Sequence, residues 1–532
     1  MRVSQPADNR FLAPKRPNLS FGVKKRSFAL SDDRSGNEIW AILVGQECIV
    51  HWRLSAARSV ELAPGKGFLM FQMVITTVAI VGLLTGASAA SAQESDAPSR
   101  TLFTNCNVFD GKADKLINGR SVLVEGNLIK AIGGQALKAT KEARVVDCNG
   151  RTLMPGFIEN HAHLMLPGPT LPAMEANSTW EDLAIHGTKM AEMYLMQGFT
   201  TVRDAGGANA GLRRAIDAGL IVGPRFYPSA AFLSTRGGHA DFANFTAPPG
   251  SASNFSRLNM AQEVDSVADM NKFARNNYRM GATQLKYMQS GGVVSAFDPW
   301  QLLAGSKEEI ESAVRVANEY GSYVMAHSYR KEAIMTALDA GVRSIEHGFM
   351  FDCEISEKMN QTGADITTNL TAIDPGLLES PAVRDVPASL AKAKSASAAF
   401  AGYIDTLKKC PAKRGFHTDC VGTGAACNIQ IAYEKHLNNE FFGPHASLVA
   451  MTSIGGEIAA MTGDFMNPYP EGKLGVIQEG AYADILIIDG NPLEDFSVVG
   501  TGDKWFGAPR RPESPETIRV IMKDGKIYKN TL

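Results

Sequence analysis

The sequence predicts an α/β protein, a (β/α)₈ TIM barrel with a small β-sandwich formed by both chain ends. Strands and helices alternate through the middle of the chain, both ends are strand-rich, and five of eight candidate strands end near a residue able to bind metal. Alternation of strand and helix is the sequence form of parallel βαβ topology. The eight candidates are FIENHAH, TTVRDAG, RFYPSA, TQLKYMQ, YVMAH, SIEHG, ADITTN and RGFHTD. Eight strands suit a closed barrel better than an open doubly wound sheet, and such barrels place their active sites at the C-terminal strand ends.

The helices between them have legible ends. Ser178 and Glu181 have capping-box spacing before WEDLAIHGTKMAEMYLMQG, which Gly198 closes. Ser306 and Glu309 repeat that spacing before KEEIESAVRVANEY, closed by Gly321. At the chain ends, SVLVEGNLIKAIG and ADILIIDGNP are examples of short strand-like runs broken by Gly and Asn. Lone hairpins are barely stable, so the two ends are expected to pair. The expected units are a β-sandwich from residues 99–155 and 464–532 and a barrel from 156–463.

Residues 1–67 show no sustained periodicity and are expected to be a mis-called or disordered leader, with the true start at Met70 or Met73. Residues 68–92 read as a signal peptide: Lys66 precedes an apolar run, and Ala90-Ser91-Ala92 offers a cleavage site. The run is marginal for spanning a bilayer. A periplasmic or secreted protein is expected, cut near Ala92, with no stable membrane span afterwards. An oxidising compartment permits a disulfide within Cys106 and Cys148 or among Cys410, Cys420 and Cys427, and the spacing chooses no pairing. The net charge of -2 gives no reason to expect nucleic acid as a partner.

His161 and His163 stand at i and i+2 on a strand, so both imidazoles face one side and can converge on a metal. Lys286 lies within the apolar strand TQLKYM. It is either an outward lysine between helices or a carbamylated lysine bridging two cations, because a bare ammonium inside a barrel is costly. His327 ends YVMAH, His347 ends SIEHG one β–α unit later, and Asp419 ends RGFHTD. Each alone is a ligand or a hydrogen-bonded core residue. Their joint occurrence on strand ends is far more specific.

Across Thr101 to Leu532 the chain resembles the amidohydrolase superfamily, in its prolidase-like and imidazolonepropionase-like branch. MPGFIENHAH, QLKYMQSGGV, VMAHSY, SIEHG, FHTD and GKLGVIQEGAYADILIIDGNPLED are the stretches that carry the resemblance. It implies two divalent ions, zinc being the usual metal. His161, His163 and Asp419 would hold the buried one, His327 and His347 the second, and carbamylated Lys286 would bridge them. It further implies Asp419 as the proton-transferring catalytic group and a homo-oligomer. Two positions depart from the pattern: Glu159 replaces an expected Asp, and His417 replaces an expected Gly. On a strand His417 shares the face of Asp419, as a neighbour of the site.

His239 and Tyr329, on loops at the catalytic face, are candidates to bind the scissile carbonyl or a substrate carboxylate. Arg236 is a further candidate for the carboxylate. The alternative for all three is an ordinary surface role. The resemblance implies hydrolysis of the amide bond to a C-terminal amino acid in dipeptides or N-acyl amino acids, ochratoxin A-type amides included. One alternative is a cyclic amidase of the imidazolonepropionase type, which commonly uses one metal and lacks the bridging lysine. Another is an inactive barrel serving as a binding protein, against which all six ligands stand.

Overall fold

The computed structural model describes residues 29–32, 38–44, 49–55 and 99–532, apart from 135–136, 138–142, 169–170 and 296. The chain divides into two compact units, Met1–Asp96 and Ala97–Leu532. In the first, β1 (Ala29–Asp32), β2 (Glu38–Val44) and β3 (Ile49–Ser55) pair as an antiparallel sheet. These strands fall within the stretch expected to be a mis-called or disordered leader, and EIWAILV and IVHWRLS are rich in β-branched and aromatic side chains. The signal-like segment 68–92 and Cys48 lie outside the described residues.

In the second unit the two chain ends share one sheet. From the N-terminal side come β4 (Arg100–Val108), β5 (Ile117–Glu125), β6 (Leu128–Gly133), β7 (Arg144–Asp147) and β8 (Thr152–Pro155). Strand β8 pairs antiparallel with Ile485–Ile488 from the C-terminal side, and Ile518–Lys523 and Lys526–Asn530 extend the sheet. Its far edge curls back: the Ile129 N–H donates to the Ala481 carbonyl at 2.8 Å. Phe103, Val122, Leu153, Ile485 and Val520 fill the space beneath it.

The barrel follows directly. Its strands are β9 (Phe157–Ala162), β10 (Phe199–Asp204), β11 (Arg225–Tyr227), β12 (Phe232–Ser234), with β13 (Ala261–Glu263) beside β12, then β14 (Leu285–Met288), β15 (Val324–Ser328), β16 (Ser344–His347), β17 (Asp365–Thr368) and β18 (Arg414–Phe416). All neighbouring pairs are parallel. The third stave is broken: β11 pairs only with β10, and β12 carries on to β14. Pro228 cannot donate to the ladder and Ala230 has a left-handed φ of 60°, so the chain bends between the halves. The Thr283 N–H bonds the Pro228 carbonyl across the break at 2.7 Å. The ring closes where the Asp419 N–H donates to the His161 carbonyl at 3.1 Å. A Glu159 oxygen accepts from the Thr418 N–H at 3.1 Å along the same seam, and from the His161 N–H at 2.8 Å.

The box at Ser306 and Glu309 forms as read. The earlier box is shifted by one residue: Thr179 caps helix Trp180–Met196 with Asp182 as its partner. Ser178 is occupied otherwise, its N–H ending the preceding helix on the Met174 carbonyl at 3.0 Å. Among the described residues no helix is long and apolar enough to cross a membrane.

Because the second compact unit begins at Ala97, protein made from Gln93 onward is expected to be soluble and as active as the full chain. Comparing soluble yield, melting temperature and turnover of the two forms checks this. Insolubility of the shorter protein would show that the leader is part of the fold.

Candidate metal centre

At the C-terminal ends of the barrel strands each of four buried histidines has one ring nitrogen tied to an oxygen. His161 Nδ1 lies 2.6 Å from Glu346 Oε2, and His163 Nδ1 lies 3.2 Å from the Gly206 carbonyl. His327 Nε2 lies 3.1 Å from the Gly291 carbonyl, and His347 Nδ1 lies 3.0 Å from Asn369 Oδ1. A nitrogen facing such an acceptor carries the proton, which leaves the lone pair on the other nitrogen. That is how histidines are oriented to ligate metal.

The free positions face one another. His163 Nε2 is 3.0 Å and His161 Nε2 3.6 Å from Asp419 Oδ1, and Lys286 Nζ is 3.2 Å from His161 Nε2. The ring of His347 stands 5.0 Å from that of His161 and 4.6 Å from that of His327. Two of these residues occupy left-handed backbone, His347 at φ 72° and Asp419 at φ 53°. Such conformations cost about 1–3 kcal/mol each and cluster at functional sites. Here they occur at the last residue of β16 and in the segment just after β18.

Electrostatics agree with a cation site. Burial holds His161 and His327 well below the usual imidazole range and pushes His347 down to about 4, so all three are neutral near pH 7 and able to ligate a metal. Burial also pushes Lys286 down to about 8, against the pull of Glu346 and Asp419. For Asp419 burial works upward, but His163 and the nearby imidazoles outweigh it and hold the carboxyl well below its ordinary range. Donor atoms of His161, His347, His417 and Asp419 all lie within 4.8 Å of one another. His417 Nε2 is buried with no hydrogen-bond partner among the described residues. Neutral imidazoles, an ionised carboxylate and an orphaned buried lone pair are the donor set that a divalent ion such as zinc takes.

His161, His163, Lys286, His327, His347, Asp419, His239 and Tyr329 line one cavity. The His239 ring stacks on that of His327, with centroids 4.2 Å apart and planes 20° apart. Its place requires glycine at 292, where a Cβ would come within 2.3 Å of the His239 ring. The expected role of Arg236 is corrected. Its guanidinium pairs with Glu263 at 2.9 Å and donates to the Ala247 carbonyl at 2.8 Å, and it does not line the cavity.

Glu346 went unread as a site residue. It is fully buried, and its carboxylate accepts from Arg203 at 2.9 and 3.1 Å, from Ser344 and Thr367 hydroxyls at 2.6 Å each, and from His161. An Arg in strand TTVRDAG and a Glu in SIEHG, each within an apolar run, are the signal that could have found this pair. Glu346→Gln is expected to destabilise the protein by about 3–5 kcal/mol, because it leaves the buried Arg203 charge unpaired. It should also weaken metal binding on the order of 10–100-fold by freeing His161. Urea melts and chelator competition measure the two effects, and unchanged metal affinity would remove Glu346 from the orientation of His161.

A barrel whose strand ends aim neutral imidazoles and a carboxylate at one point defines the class of barrel hydrolases built around a metal-binding centre. The chain belongs to the amidohydrolase family, whose family model matches residues 152–527, and it is a hydrolase of amide bonds. It is 28% identical over 445 residues to an ochratoxinase of Aspergillus niger, covering 79% of this chain and 85% of that relative. A prolidase crystallised with N-methylphosphonate-L-proline superposes with a TM-score of 0.72 at 31% identity, over 81% of this chain and 100% of the other. A Xaa-Pro dipeptidase with bound methionine gives 0.68 at 26%, over the same shares.

Proposed function

We propose that this protein is a binuclear metal-dependent amidohydrolase that releases the C-terminal amino acid from dipeptides or N-acyl amino acids. The observation that carries this reading is the tying of one nitrogen on each of four histidines beside Asp419 and Lys286. His161, His163 and Asp419 would hold one zinc ion, His327 and His347 the other, and carbamylated Lys286 would bridge them. When bound, such a pair supplies Lewis-acid activation of water and of the amide carbonyl. Asp419 accepts the proton of the attacking water and returns it to the departing amine nitrogen. Tyr329 and His239, on the wall beside His327, hydrogen-bond the scissile carbonyl or the carboxylate of the substrate.

The walls are apolar, with Phe232, Met288, Phe349, Phe400 and Trp505 among them. They fit a hydrophobic acyl group or side chain and exclude water. The similarity to an ochratoxinase and to prolidases supports the same substrate class. A screen of dipeptides and N-acyl amino acids against zinc-loaded enzyme tests the reading: release of the C-terminal amino acid is expected, and turnover of cyclic amides alone would overturn it.

Export is part of the proposal, with cleavage near Ala92. Its support is the signal-like segment together with three disulfides, Cys106–Cys148, Cys353–Cys410 and Cys420–Cys427, which persist in oxidising compartments.

A further inference from the structure

We infer that His417 is a seventh residue of the metal centre, ligating through Nε2 and bringing a fifth imidazole to it. The inference rests on the metal-centre reading above and extends its ligand set. Strand β9 and the segment leaving β18 lie side by side across the barrel seam, joined by the Asp419 N–H to His161 carbonyl bond of 3.1 Å. His161 and His163, at the end of β9, stand beside His417 and Asp419 in the segment that follows β18. The pairs are level: His163 meets Asp419 at 3.0 Å, and the His417 ring stacks on that of His161, with centroids 4.0 Å apart and planes 20° apart.

The tautomer of His417 follows from its neighbours. Thr367 Oγ1 is 2.6 Å from Glu346 Oε2 and 3.0 Å from His417 Nδ1. An ionised carboxylate only accepts, so the threonine hydroxyl gives its hydrogen to Glu346 and its oxygen receives the Nδ1–H of His417. The lone pair of His417 therefore stands on Nε2. That atom is fully buried and has no hydrogen-bond partner among the described residues. A ring nitrogen of His417 lies within 4.8 Å of donor atoms of His161, His347 and Asp419, close to the span of donors around one ion. A core histidine kept for packing would have its second nitrogen paired, because buried polar groups are rarely left unsatisfied. One carboxylate, Glu346, thus orients His161 directly and His417 through Thr367. A fifth imidazole shifts the site toward zinc, cobalt and nickel and away from manganese and magnesium.

The test is a crystal structure of the zinc-loaded full chain, with the metal located by anomalous scattering at the zinc edge. His417 Nε2 is expected about 2.0–2.1 Å from a zinc ion. Zinc held by the other six residues, with a water or empty space against Nε2, would overturn this inference and leave the hydrolase reading intact. No zinc among these residues would overturn both. In solution, His417→Gln should lower zinc affinity at least about tenfold in chelator competition and narrow the preference for zinc over manganese. A folded variant that binds both metals as the parent does would also overturn the inference.

Discussion

Asp419→Asn is expected to lower kcat by about 10²–10⁴-fold while keeping much of the metal, because it removes proton transfer yet leaves an oxygen donor and the other candidate ligands. Asp419 is placed for that task by a left-handed turn at the end of the eighth stave, and its side chain remains 28% exposed toward the cavity. His163 and the surrounding imidazoles hold its carboxyl well below the ordinary range, so near neutral pH it is ionised and can accept a proton. Asparagine has nearly the same shape and retains an oxygen donor, yet it is no base near neutrality. KM should move less than kcat, since the cavity walls and the candidate substrate-binding residues His239 and Tyr329 are untouched. Metal analysis and steady-state kinetics on one preparation separate the two effects. An Asn enzyme within a few-fold of the parent would remove Asp419 from proton transfer.

Lys286→Ala is expected to abolish most activity and to reduce bound metal from two ions to one or none. Lys286 is fully buried in the fourth stave, with Nζ against His161. Burial pushes its amine down to about 8, so near neutrality a share of it is the free base, the form that adds carbon dioxide to give a carbamate and a proton. That share grows as pH rises through about 8. Regain of activity by stripped enzyme given zinc and bicarbonate should therefore be faster at pH 8.5 than at pH 6.5, with assays read at one common pH. A short carboxylate such as formate should restore part of the activity of Lys286→Ala by filling the bridging position. Unchanged metal content and rate in this variant would favour a cyclic amidase without a bridging lysine.

The staves and most of the candidate site were legible in the sequence because both obey local rules. Strand, helix and strand recur with turn residues between them, and the candidate metal ligands stand at or just past strand ends. What escaped was set by contacts distant in sequence. Arg236 looked free in its loop, but Glu263, 27 residues on, occupies its guanidinium. Asn369 and the Gly291 carbonyl hold His347 and His327 in place without any local signature. Cys353 pairs with Cys410 across 57 residues, which spacing alone could not select. One helix cap lies at Thr179 and not at Ser178, whose N–H ends the preceding helix on the Met174 carbonyl. His417 stood out in the sequence only as a departure from the family pattern. Its weight came from the buried, unpaired nitrogen that the fold sets beside His161.

The central claim, a two-metal centre that cleaves the amide of a C-terminal amino acid, is tested most directly by a zinc titration. Chelator-stripped full-length protein would receive zinc in steps with bicarbonate present, while phenylalanine released from an N-acyl-L-phenylalanine is followed. Activity should be absent at the start, rise with added metal and level off at two zinc ions per chain. Full activity in the stripped protein, or a plateau at a single ion, would contradict the account.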